Sequence, residues 1–131
     1  MELEKGILRC LSPDGLEILV GRSAADNDAL TFKLAAQDDF WLHVAGVPGS
    51  HVVVRNPARL ARPPRATLRL AAALAARHSK ARDGGQVTVH WTLRRHVHKR
   101  RGAPAGEVSL DSFQSVRASP REAPELRADP G

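Results

Sequence analysis

DDFWLHVAGVPGSHVVVR, from Asp38 to Arg55, decides the fold. Two short β-favouring runs flank the turn residues 46–49, so the stretch predicts a pair of strands. Side chains alternate along a strand, which places Phe40, Leu42 and Val44 on one face and Asp39, Trp41 and His43 on the other. On the second run Ser50, Val52 and Val54 point inward, and His51, Val53 and Arg55 outward. The first face is core. In the expected register the second gathers Trp41, His43, His51 and Arg55, an indole, two imidazoles and a guanidinium suited to stacking on unpaired bases and holding phosphates. If a helix lies over it, the same face is a second core and its histidines are hydrogen-bonded packing residues.

Upstream, residues 6–11 and 16–20 are apolar runs separated by Ser12-Pro13-Asp14-Gly15, a hairpin signal. Residues 23–36 carry Leu30, Leu34 and alanines at helical spacing, with Ser23 as the cap and Asp26 and Asp28 near the positive end of the dipole. Downstream, Pro63-Pro64 breaks the chain before ATLRLAAALAARHSKAR. There Leu70, Ala71, Leu74, Ala75 and His78 fall on one helical arc, and Arg62, Arg65, Arg69, Arg77 and Lys80 on the opposite one. Residues 86–92 alternate as a half-buried strand, with Val87, Val89 and Trp91 against Thr88, His90 and Thr92. A basic run LRRHVHKRR and a turn over residues 102–106 follow, and Val108, Leu110, Phe113 and Val116 mark weak final strands. From Ala118 onward Pro, Ala and charge occur without period, which predicts a disordered tail over 118–131. The expected architecture is a single α+β domain over 1–117, a mixed β-sheet with two main helices.

Charge is unevenly placed. Residues 1–54 balance to −4, residues 55–101 to +12 with Asp83 as their one acid, and residues 102–131 to −2. A cationic block cleared of acids is an electrostatic footprint for polyanions, here Arg55, Arg65, Arg69, Arg77, Lys80, Arg82, Arg94, Arg95, Lys99, Arg100 and Arg101. An acidic protein partner is the rival reading of the same stripe. The charged N-terminus MELEKG lacks an apolar signal segment and Cys10 is the lone cysteine, so a cytoplasmic protein with no membrane partner is expected.

Reaction chemistry finds little support. Asp39, His43 and His51 are ligand types that would serve a metal-dependent hydrolase, yet there is no HExxH and no cysteine pair. Gly49-Ser50-His51 lacks the nucleophile elbow, and no glycine-rich loop has phosphate-binding spacing. A non-enzymatic protein without a cofactor is expected.

The ordered set VGR (20–22), NDxLT (27–31), DxWxH (39–43), PGSHV (48–52) and SKAR (79–82) resembles the NFACT-R domain over roughly residues 9–117. This is the RNA-binding domain at the C-terminal side of NFACT proteins of ribosome-associated quality control, and it also occurs alone in bacteria. The resemblance implicates Gly21, Arg22, Asn27, Asp39, Trp41, His43, Pro48, Gly49, Ser50, His51, Ser79, Lys80 and Arg82. It assigns Trp41, His43, His51, Lys80 and Arg82 to RNA contact, and Asn27, Asp39 and Gly49 to holding that surface in shape. It implies tRNA or rRNA as partner, on a ribosome or its large subunit, with an adaptor in RNA modification as the alternative that stand-alone members permit. The 131 residues leave no room for the N-terminal domain, helix-hairpin-helix segment and coiled coil of full-length members, so their peptidyl-tRNA engagement and tail synthesis are not expected here.

Overall fold

Ser12 closes the first hairpin. Its hydroxyl accepts from the backbone N–H of Asp14 and of Leu16, and Gly15 supplies the positive φ of 80° that the turn requires. Strands β1 (Leu8–Leu11) and β2 (Glu17–Val20) leave this turn. The protein is represented by a computed structural model that describes residues 6–126.

The stretch Asp38–Arg55 supplies the centre of the sheet. β3 (Phe40–Val44) lies between β4 (Val52–Val54) and β5 (Val87–Leu93), and β8 (Gln114–Ala118) forms the edge beyond β5. The six strands run in the order β1-β2-β4-β3-β5-β8. The expected α+β domain with two main helices is what forms. The sheet mixes hairpin with crossover connections, but its five pairings all run antiparallel. Trp41 stands opposite Val53 and Thr92, and His43 opposite His90. A small ribbon of β6 (Val97–His98) and β7 (Ser109–Leu110) follows a tight turn at Arg94–His96.

Phe40 and Leu42 pack in one cluster with helix α2 (Arg65–Arg77), whose alanines 71, 72, 73, 75 and 76 are buried with Leu74, while Val44 is buried against Gly49. Small side chains let this helix lie close to the sheet, so the core depends on fit more than on bulk. The periodic pattern predicted a helix reaching residue 82. Instead the helix ends at Arg77, because the next residues are drawn into a β-bridge: Ser50 donates its N–H to the His78 carbonyl at 2.9 Å and Lys80 donates to the Pro48 carbonyl at 2.9 Å. Lys80 and Arg82 are therefore turn residues and not part of a helical stripe.

The expected tail also departs from its prediction. Ala118 completes β8, Pro120–Glu122 forms a helical turn against α2, and Ala123 is only 8% exposed. These residues fill the shallow flank left by the alanines. The part of the expected tail over 127–131 lies outside the described residues.

The opposite face of the sheet is covered as well. Ser23 caps α1 (Ala24–Ala29) by accepting from the Asp26 N–H at 3.1 Å, and the chain continues through a π-helical turn at Leu30–Leu34. Leu30 packs there with Ile7, Leu19, Trp41, Val53 and Val97. Trp41 is 1% exposed, as is His51. The predicted open face of Trp41 and His51 is thus corrected: neither ring offers a surface to a base.

Their polar atoms form one chain. The Trp41 indole N–H donates to Thr31 Oγ1 at 3.1 Å, and Thr31 Oγ1 lies 2.8 Å from His51 Nδ1. His51 Nε2 lies 3.1 Å from the Gly106 carbonyl. A carbonyl only accepts, so Nε2 carries the hydrogen; Nδ1 is then bare and accepts from the threonine hydroxyl. Every group is satisfied with His51 neutral. Burial, helped by neighbouring His43, pushes His51 down to about 4.

Removing the Trp41 side chain is expected to destabilise the fold by about 3–5 kcal/mol, through lost burial and the cavity left behind; urea unfolding of Trp41→Ala measures it. The His51 pKa gives a pH dependence of definite sign. Below the ordinary value of 6.5 the unfolded chain takes up a proton that folded His51 refuses, so stability falls as pH drops from 6.5 toward 4, by about 3 kcal/mol in all. Urea midpoints at pH 7, 6 and 5 should decline accordingly, and His51→Gln, weaker at pH 7, should show a flatter slope.

Candidate nucleic-acid interface

Beyond Val44 the chain loops through residues 45–49 and returns into β4, and this return is where separate segments meet. Gly49 lies against Ser79 so closely that a Cβ on it would stand 2.8 Å from the Ser79 Cβ. Close approach of two backbones, which only glycine permits, fixes the junction. Asn27 locks it from α1: its amide donates to the Gly49 carbonyl at 3.3 Å and its Oδ1 accepts from the His51 N–H at 3.0 Å. Gly21 donates to the His51 carbonyl at 3.0 Å, and a Cβ there would collide with the Asn27 amide oxygen. Ser79 turns the chain after α2, donating to the Ala76 carbonyl at 2.7 Å and accepting from the Ala81 N–H at 3.1 Å.

A second wall faces this junction. Its residues 99–107 are clamped to α1, where the Gly106 N–H donates to Asp28 Oδ1 at 2.9 Å and Lys99 reaches the same oxygen at 3.1 Å. Lys99 also donates to the carbonyls of Pro104 at 2.6 Å and Glu107 at 2.9 Å. Between the walls runs a groove of about 1370 Å³, lined by residues from both and by His43, His51, His78 and His90.

His43 forms the exposed part of the floor. Its ring stacks on Trp41, centroids 5.9 Å apart and planes 19° apart, and meets His51 edge-on at 5.6 Å. Burial holds its imidazole below the ordinary histidine value, as it does for His78, where Arg77 and Arg22 add to the effect. Arg22, Arg77, Lys80 and Arg82 line the first wall. None of these four has a carboxylate partner among the described residues. The opposite wall is neutral or acidic: Ala105, Gly106, Glu107, Val108 and Leu110.

The other cations of the block are placed differently. Arg55 pairs with Asp39 at 3.0 Å, at the far end of β3 from His43, and so leaves the expected patch. Arg69 pairs with Glu122, its Nε 3.1 Å from the carboxylate, and Arg95 pairs with Asp38. Arg94 donates to the carbonyls of Thr31 and Val97 and lies over the Phe32 ring. Arg100 pairs with Glu107 at 3.4 Å. Arg65 and Arg101 are exposed and do not line the groove. Asp39 holds the distant end, its oxygens accepting from the N–H groups of Ala36 and Asn56, each at 2.8 Å. Thr67, uncounted as a site residue, hydrogen-bonds Ser12 and Asp14 and ties α2 to the first hairpin.

The hydrolase reading loses its ligands here. Asp39 is committed to Arg55 and two backbone amides, and both nitrogens of His51 are engaged inside the fold. Among the described residues no group of three or more His, Cys, Asp or Glu side chains could hold a metal ion. Sequence reasoning missed His78 and His90 as groove residues and took Arg22 only as a motif position. The alternation of residues 86–92 already set His90 on the face of His43, whereas the placement of His78 depends on where α2 ends. Among the described residues no helix is long and apolar enough to cross a membrane.

Comparison with known proteins identifies the family and the fold. Residues 7–112 match the family model for the NFACT protein RNA binding domain. The Rqc2 homolog RqcH of Bacillus subtilis (strain 168) is 45% identical over 109 residues, 83% of this chain and 18% of the relative. Its Streptococcus suis (strain 05ZYH33) counterpart is 37% identical over 115 residues, 87% and 20%. The solved C-terminal structure of the fibronectin/fibrinogen-binding protein from Streptococcus suis superposes with a TM-score of 0.82 at 35% identity, covering 93% of this chain and 48% of that one. The chain thus spans about a fifth of the length of the curated relatives it matches. With residues 7–112 matched by the family model and a relative 45% identical over 83% of the chain's length, the chain belongs to the NFACT RNA-binding domain family.

Proposed function

We propose that this domain holds structured RNA, a tRNA or rRNA met in translation or ribosome-associated quality control, against the groove between the Gly49–Ser79 junction and the 99–107 wall. The observation that carries the reading is the convergence of Arg22, Arg77, Lys80 and Arg82. Arg22 meets the 77–82 segment that carries the other three, all four line one wall, and none of them forms an ion pair among the described residues, with Asp83 the one acid lining that side. Unneutralised cations along a concave wall attract phosphates and release counterions when they bind. Family membership supports the same polyanion. The turn that carries Lys80 and Arg82 is secured by backbone hydrogen bonds, so these side chains need no ordering of the main chain before they meet a phosphate.

Purified protein titrated with tRNA, a ribosomal-RNA hairpin and duplex DNA across a salt series tests this. Lys80→Glu with Arg82→Glu should weaken RNA binding about 10- to 100-fold near 0.1 M salt and flatten the log–log salt slope by about two. Arg69→Glu, altered at a cation paired on the flank of α2, should change affinity less than about threefold. RNA affinity equal to that for duplex DNA, or indifferent to the Lys80/Arg82 change, would sink the proposal, and polyglutamate competing as well as RNA would point to an acidic protein partner.

A further inference from the structure

Resting on the RNA reading above, the geometry points to a narrower ligand: the groove is a pocket for a single unpaired nucleotide, whose base lies on the His43 ring and whose phosphates meet the Arg22, Lys80 and Arg82 side. Three observations converge on it. The groove is cationic on one wall only, where Arg22, Arg77, Lys80 and Arg82 line it beside the single acid Asp83. A duplex displays two phosphate strands and is met by cations on both sides of its contact, whereas here the second wall offers Val108, Leu110 and the carboxylate of Glu107. A phosphate row fits one side, and something uncharged fits the other.

The floor is a planar ring held rigid from behind. His43 is half-buried, backed by Trp41 in a stacked arrangement and braced edge-on by His51. A base stacking on it would meet a surface already ordered, which removes part of the entropic cost of binding. Bases inside a continuous helix have both faces covered by neighbours, so this ring is available only to a base that is unstacked. His90, also a lining residue, stands directly across the strand pair from His43, and its ring is tilted against Phe113 outside the groove with centroids 4.2 Å apart.

The space and the polar atoms agree. At about 1370 Å³ the groove exceeds the 300–1,000 Å³ typical of small-ligand sites and has room for a nucleotide with its flanking backbone. His78, also a lining residue, keeps Nε2 shielded from solvent without a hydrogen-bond partner among the described residues. That nitrogen is an unpartnered polar atom on a residue of the groove lining. Because the junction is built from Gly21, Asn27, Gly49 and Ser79, it does not need a ligand to assemble.

The test compares three RNAs by fluorescence anisotropy at fixed salt: a blunt 12-base-pair duplex, the same duplex with a one-nucleotide bulge, and that bulge made abasic. The wild-type protein should bind the bulged RNA about tenfold or more tighter than the duplex, and the abasic bulge should lose that gain. His43→Gln, verified as folded by thermal melt, should shrink the ratio between bulged RNA and duplex. If all three RNAs bind equally while Lys80→Glu with Arg82→Glu weakens every one, the nucleotide pocket is refuted and the RNA reading stands. If none binds, or the double variant changes nothing, the RNA reading itself fails. The abasic comparison uses unaltered protein, so the answer does not hang on the folding of a His43 variant.

Discussion

The neutral imidazole of His51 is the constraint on which the rest of the site depends. It sits at the start of β4, takes a hydrogen bond from Thr31 on the π-helical turn, and gives one to Gly106 on the opposing wall. Three elements distant in sequence are thereby set at fixed spacing by one ring. The arrangement works only in the uncharged tautomer with hydrogen on Nε2, and burial enforces that state. A protonated ring would present a hydrogen to the threonine, which would have to turn its own away and could no longer fill its partner. The groove between the junction and the 99–107 wall is therefore held open by a group that has no freedom left to bind anything.

A segment with one acid in its sequence is not without acids in space. The cationic block borrows Asp28, Asp38, Asp39, Glu107 and Glu122 from the flanking segments, and Arg55, Arg69, Arg95, Lys99 and Arg100 are matched to them. Exposed pairs of this kind add little to stability. Their larger effect is to cancel field over most of the surface. Arg62, Arg65 and Arg101 are likewise left without an ion pair among the described residues, but of the block's unpaired cations only Arg77, Lys80 and Arg82 line the groove, where Arg22 joins them.

Much of the fold was legible. Alternation across Asp38–Arg55 is a local property, and it emerged as read, with Phe40 and Leu42 in one cluster and Trp41 with Val53 in the other; the first hairpin and the Ser23 cap rest on equally local chemistry. Coverage of the second face was not legible in the same way, because it depends on which side the crossover carries α1. The clue was the Leu30 and Leu34 spacing, an apolar stripe that had to find a sheet face, and the remaining face belonged to Trp41. The end of α2 was missed because helical periodicity continues past Arg77, while a tertiary bridge between Gly49 and Ser79 overrides it. The segment after Ala118 lacked any period for a related reason: Pro120 and Ala123 fit a hollow made by alanines, and such filling needs no repeat. The site motif was visible as a set of residues, but its division into frame and rim required the fold.

That division separates stability from recognition. Gly21, Asn27, Gly49 and His51 are spent on contacts within the chain, and changing them alters the groove by altering the fold. Lys80 and Arg82 hang from a turn whose shape is made by the main chain and by Ser79, so their charge can be changed without disturbing what supports them. His43 belongs to neither class. One side of its ring rests on Trp41 within the core contacts, while the side chain remains partly open to the groove. It is the point at which rigidity produced by packing becomes available to a ligand, and any selectivity beyond phosphate attraction has to pass through it or its neighbours His78 and His90.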